Sequence, residues 1–372
     1  YNAEAFEVDE KTTKMESLYD VYRSVSTKSE EETEKEIQTI KDMIEGKEDT
    51  VTATKKQGTV DLIRSYFEER GIKVTDNIGM NLQGNSVELI DTGSTGRGTN
   101  VPGDGDFDFM LRHNTSPEIL EGLKTLIMSK AQNSVVTNDG FRTKSVTLEN
   151  GESADIDVTC ARKNLTLEYS SDMCVKDRLH SIEEQNPQML RYVKANIIMA
   201  KKILKASEIY KKRGSQGATE FGGFGGIGVE NWILQNGGSF EQAMATYLEA
   251  ANKADSYNDF IESYPIFDFG NNQREGNTRH DRFSAFLGQE TGFSKVKEIF
   301  TQNLDMIKNT KTPLQKSMSV EGLDEATKNN ERIKNFNNWS LLVQMLAKYY
   351  ENINNHNTIK ENDVENKIKG YR

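Results

Sequence analysis

GSTGRGTNVPGDGDFDFM, residues Gly93 to Met110, places two glycines around an arginine and then Asp104, Asp106 and Asp108 at alternate positions. The second half, DFDFMLR, alternates charge with aromatic bulk. In a strand, residues i and i+2 share a face, so Asp106 and Asp108 stand side by side while Phe107 and Phe109 point into a core. Two unpaired carboxylates that close repel, and one resists ionising. A hard divalent cation, Mg²⁺ or Mn²⁺, removes the conflict, and it is usually held by one or two carboxylates plus substrate phosphates. A pair of such ions can clamp the attacking and leaving oxygens of an in-line displacement at phosphorus.

That chemistry calls for a further acid on a neighbouring strand. The alternating segment SADIDVTC follows an Asn150-Gly151 turn, a strong hairpin signal. It offers Asp157 between Ile156 and Val158. The first half of the opening stretch supplies a grip for phosphate. Gly93 lets the backbone turn and approach a ligand closely. Ser94 carries a donor, the first amides of a following helix suit an anion, and the Arg97 guanidinium suits a phosphate. The competing readings are a solvated edge strand or a calcium loop. The later spacing and the Glu of an EF-hand are absent, and the alternating phenylalanines argue for a buried strand. The combination points to metal-dependent nucleotidyl transfer, with Asp106, Asp108 and Asp157 as metal ligands and catalytic acids.

The rest of the chain predicts an α+β fold: a mixed sheet with helices, followed by a helical domain. The segment SEEETEKEIQTIKDMIEG predicts a polar helix with a Ser29/Glu32 capping box and a narrow stripe of Ile37, Ile40 and Ile44. A second helix is read from Thr59 to Gly71. Strands are read at VELIDT, DFDFMLR, SVVT, FRTKSVTLE and SADIDVTC, with a helix opened by Ser116 and Pro117. Asn186 and Pro187 start a long helix with Leu190, Val193, Ile197, Ala200 and Leu204 at helical spacing. The glycine-rich EFGGFGGIG opens into VENWIL, and Ser239 caps the helix after it. The expected division is an acidic helical extension over 1–50, a catalytic domain over 51–180, a helical nucleotide-binding domain over 181–310 and a polar helical segment over 311–372.

These residues resemble the nucleotidyltransferase superfamily of DNA polymerase beta, whose signature is a glycine-serine pair, then Asp-apolar-acid-apolar, then an acid on a nearby strand. Over roughly residues 55–300 the chain is most similar to archaeal-type (class I) CCA-adding tRNA nucleotidyltransferases and, more loosely, to oligoadenylate synthetases. The resemblance implies NTP as substrate, ATP or CTP or both, whose nucleoside monophosphate is transferred to a hydroxyl as pyrophosphate leaves. It implies a triphosphate-binding Lys201 followed by Tyr210, a buried Glu230, His180 near the triphosphate, and Arg274, six residues after Asp268, near the nucleotide. Solvated-face and packing readings stand beside these for Lys201 and Tyr210, and Glu230 can also be read as a helix-dipole or capping carboxylate. The N-terminal region is longer, and the C-terminal region shorter, than those enzymes carry.

Composition bears on the acceptor. The formal net charge is −11, the wrong sign for a nucleic-acid binder as a whole. Yet Arg191, Lys194, Lys201, Lys202, Lys205, Lys211, Lys212 and Arg213 face only Glu208 in their segment. This basic run is the expected path for an RNA acceptor, such as tRNA, with Lys202 expected to point to solvent. The main expectation is template-independent addition to an RNA 3′ end. The alternative is synthesis of a linear or cyclic oligonucleotide messenger from NTPs alone, and an inactive nucleotide-binding module is a third reading. Cys160 and Cys174 are the sole cysteines, which suggests free thiols rather than a disulfide framework. The low mean hydropathy and lack of a long apolar span lead to the expectation of a cytoplasmic protein without a membrane segment.

Overall fold

The computed structural model describes residues 15–76, 82–102, 105–162, 171–210, 224–264, 266 and 290–309. Helix α1 covers residues 15–25. Helix α2 (Glu30–Ile44) starts at the expected capping box, with Ser29 accepting from the Glu32 amide and the Glu32 side chain reaching back. Helix α3 (Thr50–Glu68) begins nine residues before the expected Thr59, because Asp49 caps it by accepting from the Thr52 amide. Strands β1 (Lys73–Thr75) and β2 (Ser86–Thr92) follow. Then come the single-turn helix α4 (Gly93–Arg97), strand β3 (Phe107–Asn114) and helix α5 (Pro117–Ser129). Strands β4 (Asn133–Val136), β5 (Gly140–Thr147) and β6 (Ser153–Arg162) form the expected meander. Its β5–β6 turn has Gly151 at φ 83°.

The six strands make one mixed sheet in the order β1-β2-β3-β6-β5-β4. β3 runs parallel to β6 and antiparallel to β2, so it is central. The α+β expectation therefore holds. Alternation sorts the sheet's two faces. Val87, Leu89, Phe107, Phe109, Leu111, Ile156 and Val158 share one core with Leu62, Ile63 and Phe67 of α3 and Leu123 and Ile127 of α5. Each such side chain contributes roughly 1.5–3 kcal/mol by leaving water. The residues between them, Ser86, Glu88, Ile90 and Thr92 on β2 and Asp108, Met110 and Arg112 on β3, take the opposite face. Glu88 and Arg112 are register partners there and form a buried ion pair.

The second half is helical: α6 (Ser171–Gln185), α7 (Pro187–Ala206), α8 (Gly226–Gln235), α9 (Phe240–Lys253), α10 (Tyr257–Ser263) and α11 (Glu290–Asn309). Their core centres on α7 and includes Trp232, Phe240, Tyr247 and Phe300. The same core takes in Leu18, Tyr19 and Tyr22 of α1 and Ile37 and Ile40 of α2. The acidic N-terminal helices thus pack into the helical half, fastened by Lys202, which donates to Glu36 at 2.7 Å. This corrects the expectation that Lys202 faces solvent: it is 3% exposed. The boundary expected at residue 180 falls inside α6, whose Val175, Leu179 and Ile182 belong to the helical core. Among the described residues no helix is long and apolar enough to cross a membrane.

Candidate active site

β2 delivers the chain into α4 at the edge of the carboxylate-bearing face. Gly93 has φ 70°, a left-handed conformation, and a Cβ built on it would lie 2.0 Å from Asp108 Oδ2. The Asp108 carboxylate therefore occupies the space that any other residue's side chain would need. Two further bonds tie the loop to β3. Thr92 Oγ1 donates to the Asp108 carbonyl at 3.2 Å, and Thr95 Oγ1 donates to the Asp106 carbonyl at 3.1 Å. Gly98, at φ 67°, ends the turn.

Asp108 and Asp157 are direct register partners on the parallel strands β3 and β6. Partners in register point to the same face, so these two acids stand side by side. Asp106, just ahead of β3, shares Lys144 with Asp155: the ammonium donates to each at 2.8 Å. Arg142 Nε lies 3.4 Å from Asp157 Oδ2. A bulge in β5 aims Lys144. Its next residue, Ser145, has φ 53° and gives its amide to Asp155 Oδ1 at 2.8 Å. A non-glycine residue in that region is strained, and such strain collects at functional sites. The two aspartates draw Lys144's pKa upward against the effect of its partial burial.

The acids offer hard oxygens in one row, the donor type that Mg²⁺ or Mn²⁺ takes. Their kind and register fit such an ion. Asp106 and Asp157 are turned toward Lys144 and Arg142, however, and among the described residues no three His, Cys, Asp or Glu side chains converge as a metal-holding group.

The anion side of the site differs from the sequence expectation. Arg97 is only 7% exposed. Its guanidinium gives Nε and Nη2 to Glu230 at 2.6 and 3.0 Å and Nη1 to Asp172. Fully buried Glu230 also accepts from Thr99 Oγ1 at 2.8 Å and from Lys201 Nζ at 2.7 Å. Lys201 is 2% exposed and gives another hydrogen to the Thr99 carbonyl. Lys201 thus spends its charge on Glu230 and Thr99 instead of presenting it to a cleft, whereas Arg97 spends Nε and Nη2 on Glu230 and turns Nη1 to Asp172. A carboxylate with no water needs several donors, and these two cations supply them. Burial alone would raise Glu230's pKa, but Arg97 and Lys201 outweigh it and hold the carboxyl at about 2. Burial pulls Lys201's own pKa down, opposed by Glu230.

The hub joins α4 to α6, α7 and α8, and so fixes the Gly93 loop against the helical half. Lys56 of α3 secures the loop from the other side, donating to Asp91 Oδ2 at 2.7 Å and to the Thr95 carbonyl at 2.8 Å. Ser94, half-buried on α4, stays next to Gly93. A cleft of about 220 Å³ opens on this face, lined by Ile90, Thr92, Gly93, Asp108, Met110, Asp172 and Met173.

Not all of the expected residues gather there. Tyr210 bridges to Phe224 at the foot of the glycine-rich segment, under the Lys205 ammonium, and is not part of the cleft wall. His180 is exposed on α6 beside Glu183 and Glu184. Arg274 lies outside the described residues. Asp172 and Lys144 were missed by sequence reasoning. Neither sits in a recognisable pattern: one opens a helix, and the other is an exposed strand residue until the bulge aims it. Glu230 did carry a signal, a lone acid in the apolar run of α8.

No family model matches the sequence, and no curated protein does. Solved structures that align with it include two chains of low identity. The STING-associated CdnE c-di-GMP synthase from Capnocytophaga granulosa is 13% identical over 78% of this chain and 99% of its own, with a TM-score of 0.42. A chain of the CdnC:HORMA-deltaN complex of E. coli MS115-1 is 13% identical over 73% of this chain and 90% of its own, with a TM-score of 0.44. At these values no function passes from either to this chain.

Proposed function

We propose that the protein is a metal-dependent nucleotidyltransferase that joins nucleotides to one another, moving a nucleoside monophosphate from an NTP to a hydroxyl and releasing pyrophosphate. The observation that carries this is the pairing of Asp108 with Asp157 in register, beside a glycine turn whose missing side chain makes room for Asp108. Asp106, Asp108 and Asp157 would hold Mg²⁺ or Mn²⁺, which supplies charge neutralisation at the phosphorus and activation of the attacking hydroxyl. Asp157, with its partner on the neighbouring strand, would take part in deprotonating the acceptor. The Gly93 amide and the Ser94 hydroxyl would bind the phosphates, and Ile90, Met110 and Met173 give the cleft an apolar wall.

The acceptor reading turns on the basic run. An RNA track needs exposed cations, since phosphate contacts supply most of the affinity. Lys201 and Lys202 are instead buried in ion pairs with Glu230 and Glu36, which leaves Arg191 and Lys205 as the exposed cations of the run among the described residues. With the net charge of −11, this supports a nucleotide as acceptor, and hence an oligonucleotide messenger as product, over addition to an RNA end. The test is incubation with Mg²⁺ and all four labelled NTPs, with and without tRNA lacking its CCA end. Small oligonucleotide products made without RNA support the reading; label entering only the tRNA overturns it.

A further inference from the structure

Asp172, in the first turn of α6, holds an unusual place. Its Oδ1 accepts the Gly93 amide at 2.8 Å and the Arg97 guanidinium. These are the two donors that the opening sequence motif directs at a phosphate. Its Oδ2 is buried and finds no hydrogen-bond partner among the described residues. Asp172 also lines the cleft together with Asp108.

A carboxylate here is chemically a small anion on an anion site. Two donors hold one oxygen, while the other, buried, has no hydrogen-bond partner among the described residues, which is costly for a charged group. Burial pushes the carboxyl's pKa up, although Arg97 and the Gly93 amide pull it down. The arrangement is thus satisfied on one side and strained on the other, and a better anion can replace it. A triphosphate brings more charge and more acceptor oxygens to the same amide.

We propose that the Asp172 carboxylate is a stand-in for the substrate's phosphate, holding the Gly93 amide and the Arg97 guanidinium until the triphosphate of an NTP displaces it. Asp172 then acts as a positioning residue. It keeps the glycine turn in its binding conformation in the empty enzyme, and it sets a threshold that a ligand with a single weak negative charge does not pass. The proposal rests on the reading of this cleft as a nucleotide site.

The experiment is calorimetric binding of each of the four NTPs with Mg²⁺, of sodium tripolyphosphate and of adenosine to the full chain and to its Asp172→Ala and Asp172→Asn variants. An internal competitor lowers apparent affinity by the fraction of molecules in the open form, so removing one that is closed nine times in ten tightens binding about tenfold. Asp172→Ala is expected to tighten NTP and tripolyphosphate binding by about that factor and to leave adenosine unchanged. Asp172→Asn keeps the shape without the charge and should fall between; it decides the matter should the alanine variant not fold. Unchanged or weaker phosphate binding in the variants, with wild type binding normally, overturns the stand-in role and leaves the nucleotide site in place. Equal tightening of adenosine also overturns it, because Asp172 would then act away from the phosphates. Failure of wild type and variants alike to bind any NTP or tripolyphosphate overturns the nucleotide-site reading itself, and the proposal with it.

Discussion

Gly93 and Asp108 compete for one volume: a Cβ on the first would lie 2.0 Å from a carboxylate oxygen of the second. The glycine turn and the acid are therefore parts of one device. Gly93→Ala should both strain the left-handed backbone, at roughly 1 kcal/mol, and push Asp108 out of line with Asp157. A displacement of about 1 Å at reacting groups costs on the order of a hundredfold in rate. Turnover of the folded variant should fall by that factor or more, with only a modest loss in melting temperature.

Glu230 ties three elements together through Arg97, Thr99 and Lys201. Removing one partner of a buried ion network typically costs about 3–5 kcal/mol, because the remaining charge is stranded. Glu230→Gln and Lys201→Ala should each lower stability in urea by amounts of that order. The KM for NTP of the folded Lys201→Ala protein should stay within about twofold of wild type, well short of the 1.5–3 kcal/mol that losing a charged contact to phosphate would cost.

Stability should depend on acid in a defined window. The Glu230 carboxyl is held at about 2, against an ordinary 4.5, by Arg97 and Lys201 despite the upward push of burial. Glu36 is likewise held at about 2, burial being outweighed by Lys202, Lys28 and Tyr22. A depressed carboxyl contributes stability above its unfolded value and loses it as pH falls through the folded one. Unfolding free energy should therefore be steady above about 4.5 with respect to these groups and decline between about 4.5 and 2. Glu230→Gln should remove on the order of 3 kcal/mol of that decline. Denaturation curves across the window check it, and an equally steep decline in the variant would contradict the assignment.

Lys144 bridges Asp106 and Asp155. It is half exposed, so the pair contributes little stability, about 0–1 kcal/mol. Its ammonium does stand where a cation bound by Asp106 would compete with it. Lys144→Met should leave the melting temperature nearly unchanged and tighten Mn²⁺ binding several-fold, read by electron paramagnetic resonance of the free ion. Weaker Mn²⁺ binding would show that Lys144 supports the site instead of blocking it.

Much of the sheet was legible because alternation in DFDFMLR and SADIDV has one physical solution, aromatic and aliphatic residues inward and acids on the other face. The Asn150-Gly151 turn then brought β6 back against β5. The loop's glycine was legible for the same reason: a turn at that point needs φ > 0. What the sequence could not reveal was where long cations end. Arg97 and Lys201 read as phosphate ligands because a guanidinium and an ammonium suit phosphate. Their true partner, Glu230, sits on α8, 133 residues from Arg97, a pairing that no local pattern encodes. Lys202 was misjudged likewise, since its partner Glu36 comes from helices expected to be an appendage. The start of α3 was missed because its cap, Asp49, precedes a polar first turn with no apolar stripe to announce it.

The central claim is that Asp108 and Asp157 act together on an NTP. The most direct measurement is pyrophosphate release from the four NTPs with Mg²⁺, in single turnover, by wild type and by Asp108→Asn and Asp157→Asn. The account predicts release by wild type and a loss of at least about a thousandfold in each variant, the size expected when groups acting as a unit are broken, with folding intact by circular dichroism. Release within tenfold of wild type in both variants would contradict it.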